Sequence, residues 1–195
     1  MNGFRPRVYY GVHDHIMDDP DKLLKFAEEG DADAQYLLGM YLDEKMKRYR
    51  ESAKWYMRAA ELGHKEAKSA LALYYMEGIG VDRDVEKALK LFEDCYYHRE
   101  GRAMWTAGRL YEEGTVVPQS YETAAMWYRR GEELDHWLSC YKLGMFYSEG
   151  KGVQKDLAEA IRLLRKAAEL GAPEARIKLE AILRLADMAD PPEEN

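Results

Sequence analysis

From Ala67 to Gly78 the chain reads AKSALALYYMEG, with apolar or small side chains at positions 1, 4, 5, 6, 8 and 9 of the stretch. That spacing follows one stripe of a helix and not the alternation of a strand. Gly78 stands where a helix C-cap favours a residue free to adopt positive φ. A second amphipathic run, EKALKLFEDCYY, follows after a short turn. The pattern predicts two helices packed antiparallel across a glycine turn.

The pattern recurs. Steps of 36 residues link Gly78, Gly114 and Gly150, and likewise Ala67, Ala103, Ser139 and Ala175. They also link Ala72, Gly108 and Gly144; Tyr75, Tyr111 and Tyr147; Ala88, Ala124 and Ala160; and Trp55, Leu91, Trp127 and Leu163 (with 36 residues per step). Internal repetition at such a period is the signature of a solenoid, in which each unit buries its apolar face only against its neighbours. Asp84, Ser120 and Asp156 share the column before the second helix and are good N-caps, with Glu159 completing the spacing of a capping box in the last. Val81, Val117 and Val153 plug the turns. The glycine phrases EGIGVDRDVEKAL and EGKGVQKDLAEAI are therefore hairpin turns. Neither completes a dinucleotide or P-loop fingerprint, and no strand pattern precedes either one.

The columns A-x-x-x-L-[AG]-x-x-Y-x-x-G-x-G-V and A-x-x-[WL]-[YFL]-x-x-A resemble the Sel-one-like repeat (SLR) family, relatives of tetratricopeptide repeats. The best match runs from Ala67 to Phe92, with Ser139 to Gly171 close behind. The resemblance implies an all-α, right-handed superhelix of antiparallel helix pairs. It also implies first helices on the concave side and second helices outside. Units start near Ala34, Ala67, Ala103 and Ser139, with a final helix from Ala175. The first unit departs from the pattern: LDEKMKRYRESA is three residues short and has no G-x-G-V, which predicts a tighter turn. Before it, DKLLKFAEEGDA matches a closing half-unit whose helix starts at Asp19–Pro20. The organisation expected is an N-terminal segment (1–18), one solenoid domain (19–189) and a solvated tail (190–195).

Composition narrows the function. A net charge of −7 is unsuited to a nucleic-acid partner, and no stretch is apolar enough for a membrane span. The two cysteines, Cys95 and Cys140, and the absence of an apolar leader in MNGFRPRVYYGVHDHIMDDP suit a cytoplasmic protein. The HDH run at His13–His15, near Asp18 and Asp19, has metal-ligand chemistry but reads as a polar terminal segment. His64, His98 and His136 fall at the ends of second helices, where a cation suits the helix dipole. Cys95 takes the column of Ala59 and Ala167 and reads as core; Cys140 stands among residues able to line a groove. No nucleophile, base and orienting group come together in the repeat, so no catalytic residue, metal or cofactor is expected.

What remains is a surface. The third position of each first helix holds Tyr36, Ser69, Trp105, Tyr141 and Ile177, and the seventh holds Met40, Leu73, Arg109, Met145 and Ala181. In the architecture the resemblance implies, both columns point into the concavity. Asp43, Glu44, Glu77, Glu112, Glu113 and Glu149 collect at the loop end of the same helices. Tyr36, Met40, Leu73, Trp105, Arg109, Glu112, Glu113, Tyr141, Met145 and Glu149 thus form a candidate groove for a protein or peptide carrying basic residues. The function expected is that of a non-enzymatic adaptor or scaffold. The alternatives are a bacterial immunity or inhibitor protein that masks a toxin and, more remotely, an enzyme using Cys140 or the HDH run.

Overall fold

The structure, a computed structural model, describes residues 20–189. Among these the secondary structure is ten α-helices and no strand. In chain order they are α1 (Pro20–Glu28), α2 (Ala32–Glu44), α3 (Tyr49–Glu61), α4 (Lys65–Glu77) and α5 (Val85–Tyr97). They continue with α6 (Gly101–Glu113), α7 (Tyr121–Glu133), α8 (Trp137–Glu149), α9 (Leu157–Glu169) and α10 (Pro173–Ala189). The first helices α2, α4, α6, α8 and α10 begin two residues before the unit starts read from the sequence. No described helix is long and apolar enough to cross a membrane. The HDH run and the 190–195 tail lie outside the described residues.

The chain divides into two compact units, one ending at Ala88 and one beginning at Leu89, so the division falls inside α5. In the first unit α1 packs on α2, α2 on α3, and α3 on α4. In the second, α6 through α10 pack in the same successive order. Each unit thereby buries a stripe from every helix. Leu23, Ala27, Ala34, Leu38 and Leu42 form one cluster in the first unit. Trp105, Ala124, Tyr128, Leu143, Phe146 and Leu163 form another in the second.

The turns show why the repeat keeps its glycines. Gly80 and Gly152 hold φ values of 67° and 68°, and a Cβ at either would overlap the backbone of Tyr49 or Tyr121. Positive φ and close approach both demand glycine there. In the shortened first unit only Lys45 to Arg48 separate α2 from α3, and Lys47 supplies the left-handed residue at φ 56°. The tighter turn follows from that four-residue link. N-caps fall where the column predicts them: Asp84 accepts from the Lys87 N–H at 2.9 Å, Ser120 from Thr123 at 3.1 Å and Asp156 from Glu159 at 3.0 Å. The capping box is only half made, because the Glu159 carboxylate takes Arg162 at 2.7 and 2.8 Å instead.

Candidate functional site

Third, seventh and eleventh positions of a helix lie four residues apart and share one face. The four complete first helices present Tyr36–Met40–Glu44, Ser69–Leu73–Glu77, Trp105–Arg109–Glu113 and Tyr141–Met145–Glu149 on that face. Every row closes on a glutamate, a column visible in the sequence once the 36-residue step, and the 33-residue step of the first unit, are aligned.

The structure divides these residues by depth. Tyr36, Met40 and Trp105 are only 7%, 8% and 9% exposed, so the expectation that they stand wet in a groove is corrected. Beside Tyr36 and Trp105 stands the N-cap of the next first helix. His64 precedes α4, and its ring stacks on Tyr36 with centroids 4.5 Å apart. Its equivalent two units on, His136, precedes α8 and lies 6.4 Å from the Trp105 ring. Leu73, Tyr141 and Met145 stay half-buried, and Glu77, Glu113 and Glu149 are exposed.

These histidines also correct the dipole reading. They stand at helix N-termini, where a neutral ring that accepts a hydrogen bond is favoured over a cation. His64 Nδ1 accepts from the Ala67 N–H at 3.2 Å, which leaves Nε2–H to face Asp33 Oδ1 at 3.2 Å. The 3.4 Å approach of Glu66 to Nδ1 is then a contact of two acceptors and adds no hydrogen bond. The repeat reverses the charge beside the second ring, since Arg102 takes the column of Asp33. Burial, reinforced by the Arg102 charge, pulls His136 down to about 4, so it is neutral at pH 7.

Within the second unit the acidic margin is partly neutralised. Arg109 donates to both oxygens of Glu113 at 2.8 and 3.0 Å while its guanidinium lies 5.6 Å from the Trp105 ring centre. Lys142 on α8 donates to Glu112 on α6 at 3.0 Å, and the Tyr128 hydroxyl donates to the other oxygen at 2.5 Å. Burial and that carboxylate raise the Tyr128 phenol well above its ordinary range, so it remains a donor. Glu112 is thus a tie between helices and not a free acid, which the sequence did not reveal. Glu149 differs: it is exposed and makes no ion pair among the described residues.

The remaining candidates carry no assembled chemistry. Cys95 and Cys140 are both fully buried. Cys140 therefore lines no groove, and burial pushes its thiol up to about 11, leaving it protonated and a poor nucleophile at neutral pH. Among the described residues no three His, Cys, Asp or Glu side chains are placed to share a metal ion.

With this geometry in hand, the likeness to known proteins is direct. The Sel1 repeat matches four times, at residues 32–64, 65–93, 101–136 and 137–171. Among solved structures, the chain is 31% identical to a protective antigen of uropathogenic Escherichia coli displaying an SLR fold. That match has a TM-score of 0.64 and covers 78% of this chain and 33% of the other. A Sel1 repeat protein from Oxalobacter formigenes is 28% identical with a TM-score of 0.64, over 85% of this chain and 49% of that one. A Sel1 repeat protein from Klebsiella pneumoniae shares the fold at 22% identity and a TM-score of 0.55, over 84% of this chain and 83% of the other. The chain thus spans about a third and about half the length of the first two. The matched repeats cover well over half of the sequence and fall on the helix pairs described above; the chain belongs to the Sel1 repeat family.

Proposed function

We propose that the protein is a non-enzymatic binding module that takes a basic peptide or protein on the first-helix face of its second unit. The observation that carries this reading is the row Tyr141–Met145–Glu149 on α8. It joins a half-exposed aromatic, a half-exposed methionine and an exposed, unneutralised carboxylate at four-residue spacing. Tyrosine and methionine are side chains that interfaces favour, because they offer large contact area at modest entropic cost. Burial of the phenol and thioether supplies affinity, and the glutamate column steers a cationic partner. Trp105 acts as packing that fixes the helices of this unit, with Arg109 and Glu113 on α6, while Tyr36 and Met40 are buried within the first unit.

The test is affinity and association rate for a partner recovered by pull-down and then purified. Tyr141→Ala with Met145→Ala leaves Trp105 and the buried cluster in place, so circular dichroism should be close to the parent. Loss of an aromatic anchor and its neighbour should weaken binding by about thirtyfold, or about 2 kcal/mol. Glu149→Lys should act differently, slowing association most at low salt. A folded double variant that binds as tightly as the parent would place the partner elsewhere.

A further inference from the structure

The shortened first unit carries a charge pattern that no other turn shares. Between Lys45 and Arg58 stand six basic residues, Lys45, Lys47, Arg48, Arg50, Lys54 and Arg58, against one acid, Glu51. This lies inside a chain whose net charge is −7, so the rest of the molecule is more acidic than the total suggests. Helix α3 buries Ser52, Ala53, Tyr56 and Ala59, which turns Arg50, Lys54 and Arg58 onto the opposite, exposed stripe. Lys45, Met46, Lys47 and Arg48 in the preceding turn are exposed as well.

Most of these charges are not used inside the protein. Arg48 is held by Glu51 through two bonds of 2.6 and 2.7 Å, and the Arg58 guanidinium lies 4.6 Å from the centre of the Trp55 ring. Lys45, Lys47, Arg50 and Lys54 have no side-chain hydrogen bond or ion pair with any described residue. The contrast is α9, where Arg162 is tied to Glu159 and Glu132, and Lys166 to Glu132 and Asp135. A row of unpaired cations flanked by an exposed methionine (Met46, 47% exposed) is a surface that attracts and steers a partner of opposite charge.

We infer that this ridge, from the 45–48 turn along α3, docks a short extended acidic segment of another protein. Spacing supports an extended chain: residues four apart on a helix rise about 6 Å, and same-face side chains of an extended peptide recur about every 6.6 Å. An acid at every second residue therefore meets Arg50, Lys54 and Arg58 in turn, with an apolar neighbour against Met46. Length supports a short one. Outside the ridge the chain is net acidic, so a long polyanion, whether nucleic acid or an anionic bilayer, gains these cations but adds like-charge repulsion elsewhere. The ridge is on a second helix, so it is independent of the first-helix face proposed above.

The experiment uses the full chain and a fluorescein-labelled twelve-residue peptide with glutamate at alternate positions and one terminal leucine. The probes compared with it are a dT12 oligonucleotide and vesicles containing phosphatidylserine. The peptide should bind the parent more tightly than either comparator. Lys47→Glu, Arg50→Glu and Lys54→Glu together should weaken it about tenfold or more, and the matching glutamine variant by less. All three side chains are exposed and unpaired, so folding should survive, which circular dichroism checks. The Tyr141→Ala, Met145→Ala variant should bind the peptide like the parent, separating this site from the first-helix face. Equal peptide affinity for the parent and the glutamate variant overturns the inference. So does tighter binding of the oligonucleotide or of the vesicles than of the peptide.

Discussion

A methyl group added at Gly108 would lie 2.5 Å from the Tyr128 ring, and one at Gly39 would lie 2.7 Å from Tyr56. Both glycines stand where a first helix crosses its own second helix, the column that Ala72 and Gly144 continue. Two effects oppose each other in Gly108→Ala. Helix propensity gains about 1 kcal/mol, while overpacking costs about 1–3 kcal/mol. Overpacking should win, because Tyr128 cannot retreat: its hydroxyl holds Glu112 and its ring packs edge-on against Phe146 at 5.6 Å. Gly108→Ala should therefore lower the urea midpoint, by up to about 2 kcal/mol in stability. At Gly144 the nearest atoms stand 3.1 Å or more away, so Gly144→Ala should be near neutral. A reversed order of the two variants would mean that the Tyr128 ring moves aside freely.

At the scale of the element, helix starts carry the pH dependence and the last helix closes the core. His136 at the start of α8 titrates near 4 in the folded chain and near 6.5 when unfolded. Between those values the unfolded state binds the extra proton. The stability present above pH 6.5 is lost as pH falls, by at most about 3 kcal/mol when complete. Asp135 and Glu159, held low by Lys166 and Arg162, contribute their loss only as pH falls through the ordinary carboxylate range, mostly below about pH 5. Comparing pH 7 with pH 5 therefore isolates the histidine. The drop in unfolding free energy over that interval should be smaller in His136→Gln than in the parent. Equal drops would show the ring to be open to water.

Helix α10 covers Cys140, Leu164 and Ala167 with Ala175, Leu179 and Ile182. Truncation before Ala175 should uncover that cluster, lower the thermal midpoint and promote aggregation, read by light scattering. Removing only residues from Pro191 should leave both unchanged. The register of α10 departs from that of α6 and α8 in one column. Glu180 occupies the small-residue column of Gly108 and Gly144 and is exposed.

For the molecule as a whole, the division of charge matters more than its sum. The net value of −7 conceals a glutamate at the end of four first helices and an unpaired basic ridge on α3. The sequence displays both once the repeat is in register, but the ridge escapes notice when the total alone is used to choose a partner. Helix pairs, turn glycines, N-caps and the short first turn were legible from sequence because each depends on residues within one unit. Backbone geometry and a local apolar stripe are enough to specify them.

Depth was not legible, because it depends on what the next unit brings. Trp105 and Tyr141 occupy one column with similar chemistry, yet Trp105 is covered and Tyr141 is only half so. Trp105 has the His136 ring beside it and Arg109 over its face, whereas Ala172 takes the histidine column after Tyr141. Likewise the pairing of Glu112 with Lys142 joins residues 30 apart, whose reach is set by how α6 and α8 stand together. The repeat, and hence the family, follows from the order of residues, since short-range sterics and amphipathic spacing act along the chain. Which of its repeated side chains meet solvent, which are neutralised and which are spent on packing was decided only by the tertiary structure, because burial and charge pairing are properties of neighbours brought together in space.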